Sequence, residues 1–150
     1  MTKWVISLAL LCTMLGCTKI NVYEKQINLP KFTWKKDNKL NFVFENNDIA
    51  SKKYIYAIIR HTNNYPYTNM WVQLTATDKA GQAKSDRYNI PLTQNNSEWL
   101  GVSVDDITEV RVKISTIIGD VGQYTFTLEH IMRDASLPEL LSIGLRIENE

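Results

Sequence analysis

Apolar and polar residues alternate along most of the chain, a period typical of strands with one buried face. Leu40, Phe42 and Phe44 share one face of an extended segment, and residues 54–61 are rich in β-branched and aromatic side chains. A short strand at Tyr88 and Ile90 is closed by Pro91. The pattern returns in four further segments, residues 70–77, 110–114, 124–128 and 141–147. About eight short strands are therefore expected.

Turn-prone residues separate these segments, and helical periodicity is weak. Residues 93–97 form a polar loop between predicted strands. The best helical segment is a single turn at residues 135–141, and Pro138 limits its length. The spacing of strands and turns predicts an all-β fold, an antiparallel β-sandwich of jelly-roll or immunoglobulin-like form.

The first residues have the form of a lipoprotein signal. Lys3 supplies a positive start, and residues 4–14 form an apolar run well short of the ~20 residues that span a bilayer as a helix. Leu15-Gly16-Cys17 then places a small residue before a cysteine, as lipoprotein signal peptidase requires, whereas Met14 is too large for ordinary secretory cleavage. Cleavage after residue 16 and acylation of Cys17 are expected, so acyl chains anchor the protein to a membrane.

The predicted organisation has three parts: a signal peptide at residues 1–16, a lipidated tether at residues 17–31, and one β-sandwich domain at residues 32–150. The tether is assigned from its mixed polar composition and from Pro30 near its end. The remaining length suits a single domain with a real core.

Charge and cysteine content exclude some classes of protein. The chain has 17 Lys and Arg against 16 Asp and Glu, and no strongly basic stretch, which argues against nucleic acid as a partner. Its two cysteines, Cys12 and Cys17, lie within and at the end of the signal. The mature domain is therefore expected to have no disulfide and to depend on core burial.

The sequence lacks the usual signatures of catalysis and cofactor binding. It contains no Cys-x-x-Cys, His-Glu-x-x-His, Gly-x-Ser-x-Gly or phosphate-binding glycine loop. His61 and His130 fall at predicted strand ends, where surface or strand-edge roles are expected. Asp105 and Asp106 lack the alternating ligands of a calcium loop and are read as a solvated turn. We expect no enzyme activity, metal, cofactor or small-molecule substrate.

One segment, residues 56–71, concentrates side chains typical of interaction hot spots. It combines an arginine, an amide and several aromatic rings within about a dozen positions, namely Arg60, Tyr65, Tyr67, Asn69 and Trp71. Two interpretations remain open. The segment is either a binding surface or the closed end of a sandwich, with tyrosine hydroxyls bonded to the main chain.

The chain also resembles a known family, through ordered blocks rather than a single motif. The blocks are Arg60-His61, residues 65–71 (Tyr-Pro-Tyr-Thr-Asn-Met-Trp), Trp99-Leu100-Gly101, residues 122–126 (Gly-Gln-Tyr-Thr-Phe), Met132-Arg133 and residues 143–147 (Ile-Gly-Leu-Arg-Ile). In this order, together with the lipobox, they are similar to the GldH lipoproteins of gliding Bacteroidota. After Gly101, this chain has Ser103 and Asp105 where that family has further glycines.

The resemblance implies a lipid-anchored envelope protein needed for gliding and linked to the machinery that secretes and moves adhesins. Its expected partners are other gliding or secretion envelope proteins, and no catalytic residues transfer. The absence of an acidic run after Cys17 and Thr18 favours the outer membrane, facing the periplasm. The blocks add Trp99 and Arg133 to the candidate interaction surface.

Two other functions remain as alternatives. A carbohydrate-binding module would use exposed rings as a platform, with Tyr65, Tyr67, Trp71 and Trp99 as candidates. A hydrolase would require Glu45, Glu98 or Glu129 to face a second carboxylate across a cleft.

Overall fold

The computed structural model describes residues 22–95, 97–117 and 119–150, so the predicted signal and Cys17 lie outside the described residues. Within this part of the chain there are thirteen strands and one 3₁₀ turn at Pro30–Phe32. No helix in the described ranges is long and apolar enough to cross a membrane. The strands are β1 Val22–Asn28, β2 Trp34–Lys35, β3 Leu40–Asn46, β4 Lys53–Thr62, β5 Asn69–Thr77, β6 Ala83–Pro91, β7 Thr93–Gln94, β8 Glu98–Trp99, β9 Val102–Val104, β10 Ile107–Ile117, β11 Gly122–His130, β12 Ser136–Leu137 and β13 Leu140–Asn149.

Two antiparallel sheets form the sandwich, which confirms the predicted fold class. One sheet has five strands in the order β1-β13-β4-β10-β9, and the other has four in the order β3-β11-β5-β6. The strand count exceeds the expected eight because β2, β7, β8, β9 and β12 have only two or three residues each.

Alternation along each long strand places the apolar residues in one core between the sheets. In β4, Ile55, Ala57 and Ile59 are buried in this core, while Tyr54 and Arg60 are only half-buried on the outer face. Each fully buried large apolar side chain contributes about 1.5–3 kcal/mol through removal from water. The facing sheet supplies Leu40, Phe42, Met70, Val72, Leu74, Phe126 and Leu128.

The first strand differs from the tether expected at residues 17–31. β1 pairs with β13 over seven residues, from Val22 opposite Glu148 to Asn28 opposite Ser142. The alternation of apolar and polar residues in β1 is hard to recognise in the sequence, because the exposed Lys25 interrupts the face formed by Tyr23 and Ile27. The described part of that segment therefore belongs to the sandwich.

The helical turn predicted at residues 135–141 is wrong. Leu137 instead pairs with Trp34 in the small β12-β2 ladder, and β13 begins at Leu140. Between them Pro138 and Glu139 form a bend, with Glu139 at a φ of 64°. The predicted loop at residues 93–97 also differs, since β7 and β8 pair there as a short hairpin.

The antiparallel ladders give the sandwich two distinct ends. The basal end carries Val22, the start of β4 at Lys53 and the end of β13 at Asn149. The distal end carries residues 63–68 between β4 and β5, residues 131–135 after β11, and the β7-β8 hairpin. The two ends are separated by the ten residues of β4, or about 30 Å at strand rise.

Candidate interaction site

Part of the predicted interaction surface lines one groove at the distal end, which we call the distal groove. It has a volume of about 390 Å³. Seven residues from β5, the loop before it and the segment after β11 line it: Tyr67, Asn69, Trp71, Ile131, Met132, Arg133 and Asp134.

Strand alternation places Trp71 in this groove. Met70 and Val72 point into the core and are almost fully buried, so Trp71 between them faces outward and is 43% exposed. Trp71 lies opposite Asn89 of β6, and the Asn69 amide donates a 2.6 Å hydrogen bond to the Asn89 side-chain oxygen. An exposed indole beside amide groups has the composition of a binding surface.

The segment at residues 131–134 is held against β5 by main-chain and side-chain bonds. The Ile131 N–H donates to the Trp71 carbonyl oxygen at 2.9 Å, and the Trp71 N–H lies 3.2 Å from Met132 Sδ. The Tyr67 hydroxyl donates to the Asp134 carboxylate. Both walls of the groove are therefore fixed in position before any partner arrives.

Tyr65 and Trp99 do not join the open surface. Tyr65 is only 4% exposed, and its ring centroid lies 5.6 Å from that of buried His61. Trp99 is half-buried and packs against the same imidazole at 4.4 Å. Burial raises the pKa of the Tyr65 hydroxyl. These rings close the distal end, as in the second interpretation of this segment, and the four-ring platform for a carbohydrate is not formed. The expected bonds from tyrosine hydroxyls to the main chain are not found: the Tyr65 hydroxyl has no hydrogen-bond partner among the described residues, and that of Tyr67 bonds to Asp134.

The prediction that the two histidines have surface or strand-edge roles is wrong. His61 has no exposed area and His130 is 1% exposed, because both side chains fall on inward positions of long strands. The His61 Nδ1–H donates to the Thr62 carbonyl oxygen at 2.8 Å, and the His130 ring packs edge-on against Trp34 at 5.3 Å. Burial lowers the pKa of both imidazoles, so they stay neutral near pH 7.

Arg60 lies on a different surface from Trp71. It is on the outer face of the five-stranded sheet, 3.9 Å from the Glu109 carboxylate. Arg133, in contrast, is exposed at the groove. The structure thus brings together Tyr67, Asn69, Trp71 and Arg133, and separates Arg60 from them.

Two arginines lie in or near the groove, Arg133 in its lining and Arg87 on the neighbouring strand. Among the described residues neither Arg133 nor Arg87 forms an ion pair, and Arg87 lies on the same outer face as Trp71, two positions along β6 from Asn89. The nearby carboxylates are already bonded, Asp134 to Tyr67 and Glu129 to Lys39 at 3.0 Å. The hydroxyl of Tyr67 is neutral and leaves the charge of Asp134 in place, so the groove presents one basic and one acidic group, Arg133 and Asp134, beside an exposed indole.

Sequence reasoning missed Asp134, Asn89 and Arg87. Asp134 follows the Met132-Arg133 block directly, but only the chain path after β11 brings it to Tyr67. Asn89 and Arg87 become neighbours of Trp71 only through the β5-β6 register. No local pattern signals such long-range pairs.

The described residues contain no group of three or more His, Cys, Asp or Glu side chains placed to hold a metal ion. Asp105 and Asp106 form an exposed turn, with Asp105 at a φ of 55°. The groove itself offers an indole, a phenol, an amide, a guanidinium group and a carboxylate.

The described residues define an all-β sandwich protein with a groove at its distal end. The chain belongs to the GldH lipoprotein family, which matches residues 21–147. It is similar to the gliding motility lipoprotein GldH homolog of Christiangramia forsetii, with 27% identity over 142 residues, covering 89% of this chain and 86% of that protein. It is also similar to the gliding motility lipoprotein GldH of Flavobacterium johnsoniae, with 21% identity, covering 91% of this chain and 90% of that protein.

Solved structures give weaker likenesses. Dimeric latent PorU from Porphyromonas gingivalis matches with 11% identity and a TM-score of 0.36, over 87% of this chain. The VP2 subviral particle of infectious bursal disease virus matches with 9% identity and a TM-score of 0.34, over 85% of this chain. This chain spans only 13% and 32% of those two chains, respectively.

Proposed function

We propose that this protein is a lipid-anchored component of the gliding and adhesin-secretion machinery that acts without catalysis and holds an envelope partner in the distal groove. The family and the names of its relatives support a role in gliding. The observation that carries the binding role is the exposed Trp71 beside Arg133, which forms no ion pair among the described residues, in a groove built by bonds within the domain. Aromatic and arginine side chains are the residues most enriched where proteins bind one another.

The proposed anchor is the acylated thiol of Cys17, with the domain facing the periplasm from the outer membrane. Cys17 lies five residues before Val22, where β1 begins, so the intervening chain reaches at most about 17 Å. The basal end is then held close to the lipid surface. The distal groove, about 30 Å further along the strands, is presented away from the bilayer.

A Cys17→Ala variant tests the anchor. We expect the variant to be lost from washed membranes, because the acyl chains proposed to anchor the protein are attached through this thiol. The wild-type protein, prepared in parallel, should remain in the membrane fraction. Retention of the variant in the membrane fraction would contradict lipid anchoring.

Photocrosslinking in intact cells tests the groove. A photoreactive side chain in place of exposed Thr68, beside the groove, should capture an envelope partner that mass spectrometry identifies. Trp71→Ala and Arg133→Ala should each abolish the crosslink without unfolding the domain. Val43→Ala is the matched control, because Val43 is 49% exposed on the outer face of the same sheet. Crosslinking that persists in both groove variants would place the interface elsewhere.

A further inference from the structure

The strand β10 is only partly covered by its neighbours. On one side it pairs with β4 from Ile107 to Ile117. On the other side β9 covers only Ile107–Glu109, and in the described residues no strand pairs with the remainder. Residues 110–116 of β10 are called the open edge below.

Main-chain groups of the open edge point toward the uncovered side. The Glu109 carbonyl oxygen faces that side, since a Cβ built on Gly101 next to β9 would lie 2.1 Å from it. Successive residues of a strand direct their N–H and C=O groups to opposite sides. Arg111 and Lys113 therefore present unpaired donors and acceptors, before the irregularity in pairing between Lys113 and Ser115.

The side chains of the open edge alternate between apolar and basic. Val110 is buried, and Val112 and Ile114 are half-buried against the core. Arg111 and Lys113 are exposed on the outer face, and Lys113 Nζ lies 3.5 Å from the Tyr54 ring centroid. Among the described residues, Lys113 forms no ion pair. Arg111, in contrast, lies 3.6 Å from the Glu109 carboxylate and 3.8 Å from the Glu24 carboxylate. The positive charge that this edge offers outward is therefore that of Lys113, and its inward side is apolar.

The neighbouring edge strand β6 shows the contrast. Lys84 and Asp86 of β6 occupy its inward-facing positions, 3.7 Å from each other as an ion pair, and the strand ends at Pro91. Inward charges and proline are devices that prevent a strand edge from pairing with another chain. The open edge of β10 has neither at Val110, Val112 or Ile114. Beside it, β9 exposes Val102 (71%) and Val104 (68%) on the outer face.

We propose that the open edge of β10 is a second interaction site, which accepts an extended segment of a partner protein as an added strand. The main-chain groups of Arg111 and Lys113 would bond to that segment, as in other strand-addition complexes. Charge complementarity specifies its side chains: an acidic residue beside Lys113, alternating with apolar residues that cover Val112 and Ile114. This site is separate from the distal groove and goes beyond the proposed function.

The test uses the full-length lipidated protein in detergent micelles and a fluorescent peptide of four Val-Glu repeats. Fluorescence anisotropy should show binding of this peptide and at least tenfold weaker binding of a peptide of four Val-Lys repeats. Amide hydrogen exchange by NMR should show fast exchange at Arg111 and Lys113 in the free protein. Both amides should become protected when the Val-Glu peptide is bound.

Two variants of one residue separate the main chain from the side chain. Arg111→Ala keeps the N–H group of the open edge, whereas Arg111→Pro removes it and obstructs pairing. Arg111→Pro should bind the Val-Glu peptide about tenfold more weakly than Arg111→Ala, as expected from losing a main-chain hydrogen bond. Trp71→Ala alters the distal groove and should bind the Val-Glu peptide as tightly as the wild-type protein does. The peptide result therefore does not depend on whether the groove proposal is correct.

Three results would overturn the proposal. The first is protection of the Arg111 and Lys113 amides in the free, dilute protein. The second is equal binding of the Val-Glu peptide by Arg111→Pro and Arg111→Ala. The third is protection that increases with protein concentration without peptide, which would assign the open edge to a second copy of this chain.

Discussion

The imidazole of His61 lies against the indole of Trp99, with ring centroids 4.4 Å apart and ring planes inclined at 59°. Trp99 belongs to the β7-β8 hairpin and His61 to the end of β4, so this contact fastens the hairpin over the distal end of the core. Tyr65 covers the same imidazole from the turn that follows β4. The aromatic residues of this end thus have two roles, since some seal the core and Trp71 faces outward.

Burial of His61 and His130 predicts loss of stability in mild acid. Burial lowers the pKa of each imidazole below its ordinary value of 6.5, and for His130 the charge of Lys36 acts in the same direction. The unfolded chain then binds more protons than the native protein as the pH falls through about 6.5, so the free energy of unfolding decreases. Urea unfolding at pH 8.0 and pH 5.5 measures this difference.

The control for the pH effect is a His61→Gln, His130→Gln double variant. Its free energy of unfolding should depend less on pH between these two values, although it is less stable throughout. An unchanged pH dependence would assign the effect to other groups.

Trp34 and Trp71 should differ sharply in their contribution to stability. Trp34 has no exposed area, and its Nε1–H donates to the Asn38 carbonyl oxygen at 2.8 Å. Trp34→Ala should destabilise the protein by about 3–5 kcal/mol, the usual cost of truncating a buried aromatic side chain. Trp71→Ala should cost less than about 1 kcal/mol, because much of its ring already contacts solvent. Chemical denaturation of the two variants makes the comparison, and equal losses would mean that Trp71 is a structural residue.

Asn46 should stabilise the basal end through its side-chain amide. The residue is fully buried, and its Nδ2 donates to the carbonyl oxygens of Gly119 and Asp120 at 2.9 and 3.0 Å. Asn46→Ala leaves both carbonyl groups without this donor and should cost about 1–3 kcal/mol. Asn46→Asp, which keeps the shape but loses the donor, should be at least as damaging. Thermal unfolding of both variants tests this, and a neutral Asn46→Ala would contradict it.

Gly144 should be required for close packing of β1 on β13. A Cβ at this position would lie 2.7 Å from Gln26 Cγ and 2.8 Å from the Lys25 carbonyl oxygen. Gly144→Ala should therefore displace β1 and cost about 1–3 kcal/mol, as overpacking does. Hydrogen exchange should report the loss first in β1. Adding Gln26→Ala removes one of the two close contacts and should recover part of the lost stability.

The alternating pattern is sufficient to predict the central strands and one edge, β3, but not the edge strands β1 and β6. β5, β11 and β13 each lie between two strands, and β3 lies at an edge but places Leu40 and Phe42 in the core, so the inward residues of all four are mainly apolar. β6 extends further towards its start than the sequence pattern predicts. Its inward positions there are occupied by Lys84 and Asp86, which are exposed and polar, so the apolar alternation is missing. Edge strands such as this need not carry the apolar period.

The candidate site was predicted only in part, for a related reason. Alternation alone indicates that Trp71 points away from the core, because Met70 and Val72 flank it. The position of Tyr65 depends on the turn after β4, and that of Arg60 depends on which face of β4 it occupies. The local composition of aromatic and basic residues reveals neither. The segment at residues 131–134 reaches the groove through contacts made across more than sixty positions of sequence.

The seven-residue ladder between β1 and β13 has a mechanical consequence for an anchored protein. A force applied at the distal end, with the lipid anchor holding the chain before β1, would pull β1 along its own axis relative to β13. The hydrogen bonds between the two strands would then be loaded together in shear, whereas a force perpendicular to the strands would break them one after another. With the anchor proposed at Cys17, the domain would therefore resist a force directed along its strands without unfolding β1 first.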